Sequence, residues 1–244
     1  MNVDKLSLSY YIRSYEGDQN SFLRLVTLMN ILQDAATQDA DRRGFGMEFC
    51  LQNNMTWVGN DYVIEINRLP KIGENITLQT WPSMSGKLTA RRDFAIFDAD
   101  NNLIIKAASR WLLISLDKKR PLPVADTLKN YIFSQEHTID TDFAKISELE
   151  DKSETYKYKV RYDDIDINHH INNAVYLLWA GEAINNDWRN NHSPERIEIN
   201  FKKEGYIGEN IEVYTDVKDN TSVHSINVVG ENSRELARAL IKWK

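Results

Sequence analysis

The chain has 244 residues, 42% of them hydrophobic and 27% charged, which is a globular composition long enough to bury a real core. Lys plus Arg number 30 against 36 Asp plus Glu, and the resulting net charge of −6 argues against the broad basic face that nucleic-acid binding needs. Mean hydropathy is −0.52, and the longest strongly apolar runs, Trp111–Leu116 and Val175–Ala180, are far too short to cross a bilayer. The opening Met1-Asn-Val-Asp-Lys-Leu-Ser7 lacks the basic-then-apolar pattern of a signal peptide. The single cysteine, Cys50, excludes an intrachain disulfide and a multi-cysteine metal site, so a cytoplasmic, reducing setting is expected.

Leu6 to Tyr15 alternates apolar and polar residues, the pattern of a strand with one buried face. Phe22, Leu25, Leu28, Met29, Leu32, Ala35 and Ala36 then fall at helical spacing, with Asn20 or Ser21 as cap and Arg42, Arg43 and Gly44 suited to the end. Strands are expected at Asp61–Asn67, Ile76–Trp81, Arg91–Asp98 and Leu103–Ser115. Turns fit Gly73, Gly86 and Asn101-Asn102, and Pro121 and Pro123 end the last strand. Ser134 to Ser153 is polar and acid-rich and reads as a linker with one short helix at most.

The second half repeats the pattern. Thr155 to Tyr162 alternates, and Val175, Leu178, Trp179, Ala183, Ile184 and Trp188 form a helical stripe. Strands follow at Ile197–Phe201, Ile211–Val217, Val223–Val229 and Leu236–Trp243. Ile64-Glu-Ile-Asn67 recurs as Ile197-Glu-Ile-Asn200, an offset of 197 − 64 = 133. Ile72-Gly-Glu-Asn-Ile76 recurs as Ile207-Gly-Glu-Asn-Ile211, an offset of 207 − 72 = 135. Two α+β units are expected, residues 1–125 and 153–244, joined by a linker at 126–152.

Chemistry concentrates in Arg161-Tyr-Asp-Asp-Ile-Asp-Ile-Asn-His-His-Ile-Asn-Asn-Ala-Val-Tyr176, where the first strand of the second half meets its helix. On an extended backbone Asp166, Asn168 and His170 would point to one side, beside the free N–H groups of a helix start. A carboxylate, an amide and an imidazole there suffice to hydrolyse an activated acyl group. The same residues also suit capping and turns, and the two readings weigh about evenly. Asp163, Asp164, Asp166, His169 and His170 are possible metal ligands, but no standard ligand spacing is present and no metal is expected. Setting Ile12-Arg13 over Val160-Arg161, an offset of 160 − 12 = 148, places Asp18 under Asp166, Asn20 under Asn168 and Phe22 under His170. One active centre, in the second half, is therefore expected. Cys50 reads as a small buried hydrophobe.

Asp166-Ile-Asn-His-His170-Ile-Asn-Asn-x-x-Tyr176 resembles the signature of the acyl-acyl-carrier-protein thioesterases. Met29-Asn-x-Leu-Gln33 with Gly44-Phe-Gly46, Ser85-Gly-Lys87, Arg91-Arg-Asp93, Ala107–Trp111 and Phe201-Lys-Lys-Glu204 extend the resemblance over nearly the whole chain. The resemblance implies two tandem hotdog folds, each a long helix wrapped by an antiparallel sheet. It implies hydrolysis of a fatty acyl thioester on acyl carrier protein, with no cofactor. The family's catalytic positions fall on Asp166, Asn168, His170 and Glu204, and backbone N–H groups at Ile171, Asn172 and Asn173 would stabilise the oxyanion. The cysteine that often follows the Glu in plant members is Gly205 here, so no thiol nucleophile stands at that position. Water is the expected nucleophile, with Glu204 or His170 as base; attack by Asp166 to give an anhydride is the competing route. Carrier-protein docking would need local positive charge, found at Arg42-Arg43, Arg91-Arg92, Lys202-Lys203 and most densely at Lys118, Lys119 and Arg120. The acyl chain would lie in the first half, near the first helix, Trp57–Ile66 and Trp81. Plant members carry a long transit peptide, so a bacterial source is expected, and association of two chains into a homodimer is left open. Rival functions are a hydratase or dehydratase on acyl thioesters and a non-catalytic acyl or carrier-protein binding module.

Overall fold

A computed structural model describes residues 3–83, 86–152 and 154–244. Ser85 of the Ser85-Gly-Lys87 stretch and Ser153 at the end of the expected linker lie outside them. Two compact units divide the chain, Met1–Leu23 with Asn30–Phe143, and Arg24–Met29 with Ala144–Lys244.

The first unit contains β1 (Leu6–Tyr11), β2 (Met55–Ile66), β3 (Asn75–Ser83), β4 (Thr89–Phe97), β5 (Leu103–Ser115) and β6 (Arg120–Pro121). Its antiparallel order is β1-β3-β4-β5-β2, with β6 paired to β5. Helix α1 covers Leu25–Arg42, α2 covers Met47–Gln52 and α3 is a single turn at Val124–Thr127. The second unit contains β7 (Glu154–Lys159), α4 (Asn173–Glu182), α5 (Asn186–Asn191), β8 (Pro194–Phe201), β9 (Asn210–Lys218), β10 (Thr221–Val228) and β11 (Arg234–Trp243). Its order, β7-β9-β10-β11-β8, repeats the first strand for strand. Helix α4 lies against β9, β10 and β11.

The two repeated motifs have separate physical reasons. Ile64 and Ile66, like Ile197 and Ile199, are buried on alternate positions of the strands they occupy. Gly73 and Gly208 take φ of 88° and 82°, the left-handed conformation that glycine adopts without a Cβ clash. The glutamate that follows folds back in each copy. Glu74 Oε1 accepts the N–H of Lys71 at 3.1 Å, and Glu209 Oε2 accepts that of Tyr206 at 2.9 Å.

Several expectations need correction. Helix α1 starts at Leu25, not near Phe22, because Asp18 to Leu23 is held in a turn; Ser21 sits in it at φ 65°, so neither Asn20 nor Ser21 is the cap. The single helix expected from Val175 to Trp188 is two, because the Asn185 side chain accepts the N–H groups of Asp187 and Trp188 and starts α5 afresh. Both alternating stretches leave the strand early, at Tyr11 and Lys159, and turn through 3₁₀ segments at Ser14–Glu16 and Tyr162–Asp164.

The polar stretch 134–152 contains no helix and is anchored at intervals. Ile139 and Phe143 are buried with Val63 and Ala108. Arg91 donates to the Ile139 carbonyl at 2.6 Å, and Thr138 donates N–H and O–H to Asp93 Oδ1 at 2.8 Å each. In the second unit Arg238 donates to the Ile146 carbonyl at 3.1 Å. The wide spacing of its apolar residues hides their common burial.

Arg91 and Arg92 are buried rather than presented to a partner. Arg91 pairs with Asp93 at 2.8 Å and Arg92 with Asp39 of α1 at 2.7 Å. Asp39 is fully buried and also accepts from Arg42 and Arg43. Burial pushes its carboxyl up, but the hydrogen bonds and charge of Arg43, Arg92 and Arg42 outweigh it and hold the carboxyl below the usual range. Buried ions persist where they are paired in this way. Lys202 pairs with Glu235 at 2.5 Å. Lys118 and Lys119 lie in the turn between β5 and β6 and Arg120 opens β6; all three are exposed, with Lys119 at φ 46°.

Candidate active site

The loop between β7 and α4 is built by its own side chains. Arg161 donates twice to the Asp164 carboxylate across the 3₁₀ turn, from its N–H at 2.8 Å and from Nη2 at 2.9 Å. The chain then reverses. The Asp166 N–H donates to the His170 carbonyl at 2.8 Å, the His169 N–H donates to the Asp166 carbonyl at 3.0 Å, and Ile165 bridges Ile171. Asp166 Oδ1 accepts the N–H groups of Asn168 at 2.8 Å and His170 at 3.4 Å. This is an Asx turn, the arrangement for which a short acidic side chain is favoured. His169 completes it at φ 63°. The extended backbone expected to align Asp166, Asn168 and His170 is therefore absent.

The turn delivers His170 three residues ahead of α4. Its Nε2 lies 3.3 Å from Glu204 Oε2, with the two side chains 31% and 57% exposed, so water reaches both. Asn168 is bonded elsewhere: its Nδ2 is 3.5 Å from Asp166 Oδ2. Of the three expected oxyanion donors, the Ile171 N–H is committed to the Gly205 carbonyl and the Asn172 N–H to the Asp164 carbonyl, both at 2.9 Å. The Asn172 side chain caps α4 by accepting the Ala174 N–H. The remaining candidate, Asn173, is the first residue of the helix, where backbone N–H groups face outward.

Two residues that carried no sequence signal complete the cluster. The Tyr206 hydroxyl donates to Glu204 Oε2 at 3.1 Å, and its ring meets the His170 ring edge-on at 5.2 Å between centroids. The Glu204 bond, with burial and the carboxylate charge behind it, pushes the Tyr206 phenol up and keeps it a donor. Arg234, at the start of β11, donates to the Glu204 carbonyl from Nε at 3.1 Å and Nη2 at 2.8 Å. Its Nη2 also reaches Glu209 Oε2 at 2.9 Å. The spacing of Tyr206 two residues after Glu204 was the only available hint; Arg234 is 30 residues away.

A Cβ placed on Gly205 would lie 2.4 Å from Ile171 Cδ1 and 2.9 Å from Leu236 Cδ1. The position where plant members often carry cysteine has no room for one unless these two buried side chains move. Cys50 sits in α2, buried, with Sγ 3.7 Å from the Phe45 carbonyl. Burial, then the charge of Asp41, pushes its thiol up to about 11, which disfavours the thiolate a nucleophile needs.

Residues 4–132 match the family profile of the acyl-ACP thioesterase N-terminal domain, and residues 147–244 that of the C-terminal domain. The chain belongs to the acyl-ACP thioesterase family. It is 26% identical over 247 residues to the chloroplastic palmitoyl-acyl carrier protein thioesterase of Gossypium hirsutum, covering 95% of this chain and 60% of that protein. It is 28% identical over 250 residues to the chloroplastic oleoyl-acyl carrier protein thioesterase of Coriandrum sativum, covering 93% and 67%. The chain thus spans about three fifths to two thirds of the length of these relatives. The crystal structure of an acyl-ACP thioesterase from Bacteroides thetaiotaomicron superposes with a TM-score of 0.90 at 24% identity, covering 98% of both chains. The fold is the double hotdog. No helix among the described residues is long and apolar enough to cross a membrane.

Proposed function

We propose that the protein hydrolyses the thioester of fatty acyl-acyl carrier protein and releases free fatty acid. One observation carries this reading: His170 and Glu204 meet at 3.3 Å, open to water, in the C-terminal domain of a thioesterase-family chain. Water attacks the thioester carbonyl carbon as the His170–Glu204 pair takes its proton. The N–H of Asn173 faces the oxygen on which negative charge collects. Collapse of the tetrahedral intermediate breaks the C–S bond, and the leaving phosphopantetheine thiolate recovers the proton from the pair.

Asp166 shapes the turn that presents His170. Its Oδ1 already accepts two N–H groups, which supports this role over nucleophilic attack. Asn168, on the same exposed turn, contacts the incoming thioester. Carrier protein is expected at the exposed Lys118-Lys119-Arg120 turn, since Arg91 and Arg92 are locked in buried pairs. The acyl chain is assigned to the first repeat, where α1 buries Leu28, Met29, Ile31, Leu32, Ala35 and Ala36 and β2 buries Tyr62, Val63, Ile64 and Ile66. The one cysteine, buried and reduced, fits a cytoplasmic setting.

The test is free-thiol release from a chain-length series of acyl-acyl carrier proteins and the matching acyl-CoAs, with His170→Ala alongside. Turnover that is faster on carrier protein and lost in the variant supports the reading. A folded protein that releases no thiol from any substrate refutes it.

A further inference from the structure

We propose that Tyr206 is a positioning residue of the reacting pair: its phenol holds the Glu204 carboxylate against His170, and the three side chains work as a unit. The proposal rests on the thioester-hydrolase reading of the same site. Glu204 follows the end of β8 on an irregular stretch and is more than half exposed. A glutamate so placed loses side-chain entropy when it is fixed, and an exposed ion pair returns little for that loss. Tyr206 is the better anchored partner. Its N–H is held by Glu209 Oε2 at 2.9 Å, its ring abuts His170, and the Arg234 guanidinium lies 5.6 Å from its ring centre. Both the Tyr206 hydroxyl and His170 Nε2 approach the same carboxylate oxygen, Oε2, at 3.1 Å and 3.3 Å.

The chain contains its own control. The first repeat builds the same loop from the same bonds. The Asp18 N–H donates to the Phe22 carbonyl at 2.7 Å, and Asp18 Oδ1 accepts the N–H groups of Asn20 at 2.9 Å and Phe22 at 3.0 Å. Ser21 at φ 65° matches His169 at φ 63°. The Leu23 N–H reaches the Pro70 carbonyl as that of Ile171 reaches Gly205, at 2.9 Å each. The bonds match although several residue types differ, Ile165 for Gly17 and His169 for Ser21 among them, and three of the differences fall on the reacting cluster. Phe22 stands for His170 at an offset of 170 − 22 = 148, and Leu69 and Lys71 stand for Glu204 and Tyr206 at offsets of 204 − 69 = 135 and 206 − 71 = 135. These are the three side chains that touch one another in the second repeat. The loop forms with lysine at the tyrosine position, because the bond that Glu74 makes is to the Lys71 backbone N–H. The tyrosine side chain is therefore not needed to build the scaffold, and it is present where the histidine and the glutamate are.

The test is a double-mutant cycle of Tyr206→Phe and Glu204→Gln in the full chain, assayed on acyl-acyl carrier protein. Phenylalanine keeps the ring edge against His170 and deletes only the O–H donor. The expected result is a kcat lower by about tenfold, the size of one hydrogen bond to a charged group, with KM within about twofold and an unchanged melting temperature. In the Glu204→Gln background the same change has no further effect, because the partner is already altered. Wild-type kcat in Tyr206→Phe, a loss carried by KM alone, or equal losses in both backgrounds would overturn the proposal while leaving hydrolysis intact. A second readout stands apart from turnover: at fixed pH, the ring-nitrogen NMR chemical shifts of His170 in Tyr206→Phe move toward those of Glu204→Gln. A protein that releases no thiol but shows this movement loses the hydrolase reading and keeps the positioning role; unmoved shifts remove the role.

Discussion

His224 links the stability of the second unit to pH. It lies in β10, fully buried, with Nδ1 3.0 Å from Thr215 Oγ1 and Nε2 2.9 Å from Ser222 Oγ. The Trp243 indole N–H also donates to Ser222 Oγ, at 3.0 Å. Hydroxyls satisfy the neutral ring but bring no negative charge, so burial pushes the imidazole from its ordinary 6.5 down to about 3. The unfolded chain protonates near 6.5 and the folded chain does not, so unfolding takes up a proton between those values and stability falls as pH falls. From pH 8 to pH 5 the loss from this one residue is about 2 kcal/mol, from RT times the logarithm of the unfolded-state protonation ratio. The loss levels off only near pH 3, where the folded imidazole itself protonates. Urea unfolding followed by tryptophan fluorescence at pH 8 and pH 5 measures it, with His224→Gln as reference. Gln keeps a hydrogen-bonding end near Nε2 and cannot protonate. The variant is expected to start about 1 kcal/mol less stable at pH 8, for one impaired hydrogen bond, and to lose about 2 kcal/mol less than wild type on acidification. Equal losses in the two proteins would show that His224 charges as freely folded as unfolded, and the burial argument would fail.

Asp166→Ala should lower kcat at least about a hundredfold by releasing the His170 turn, whereas Asp18→Ala, which breaks the matching bonds of the first repeat, should leave kcat within about twofold. Steady-state kinetics of both variants checks this, and equal losses would remove the distinction between the repeats. Gly205→Cys should cost roughly 1–3 kcal/mol as Ile171 and Leu236 are displaced, and should form no acyl-enzyme detectable by mass spectrometry. Asp39→Asn leaves the Arg92 guanidinium buried without its counter-charge and should cost about 3–5 kcal/mol in chemical unfolding; a change under about 1 kcal/mol would mean the cluster is solvated. Reversing the charges of Lys118, Lys119 and Arg120 should raise KM for acyl-acyl carrier protein and spare a small thioester, and equal effects on both would refute docking there.

The duplication, the alternating strands and the acid-amide-imidazole loop were legible in the sequence because each is local. The strand at Leu103–Ser115 was located to the residue between its flanking turn signals, and two short repeats at nearly one offset announced a second copy of the same topology. Even the match of Asp18 with Asp166 and Phe22 with His170 was readable by eye, and the hydrogen bonds of the two loops agree residue by residue. Local pattern failed where side chains competed with the backbone. The Asp166 carboxylate turned an alternating stretch into a reversal, and Asn185 split one apolar stripe into two helices. It failed again for residues 134–152, whose wide-spaced apolar residues have no period to detect.

What no local pattern carries is which charges face each other. Arg91, Arg92 and Lys118 look alike in sequence, yet the first two neutralise Asp93 and Asp39 inside the first unit and the third stands in water. Glu204 likewise reads as an ordinary exposed glutamate until the fold places His170, Tyr206 and Arg234 around it. Sequence alone thus determined the repeated architecture and the loop that carries the imidazole, because burial period and turn chemistry act within a few residues. Tertiary structure alone decided the partners of that imidazole, because charge and hydrogen bonding act through a few ångströms of space between elements more than 30 residues apart.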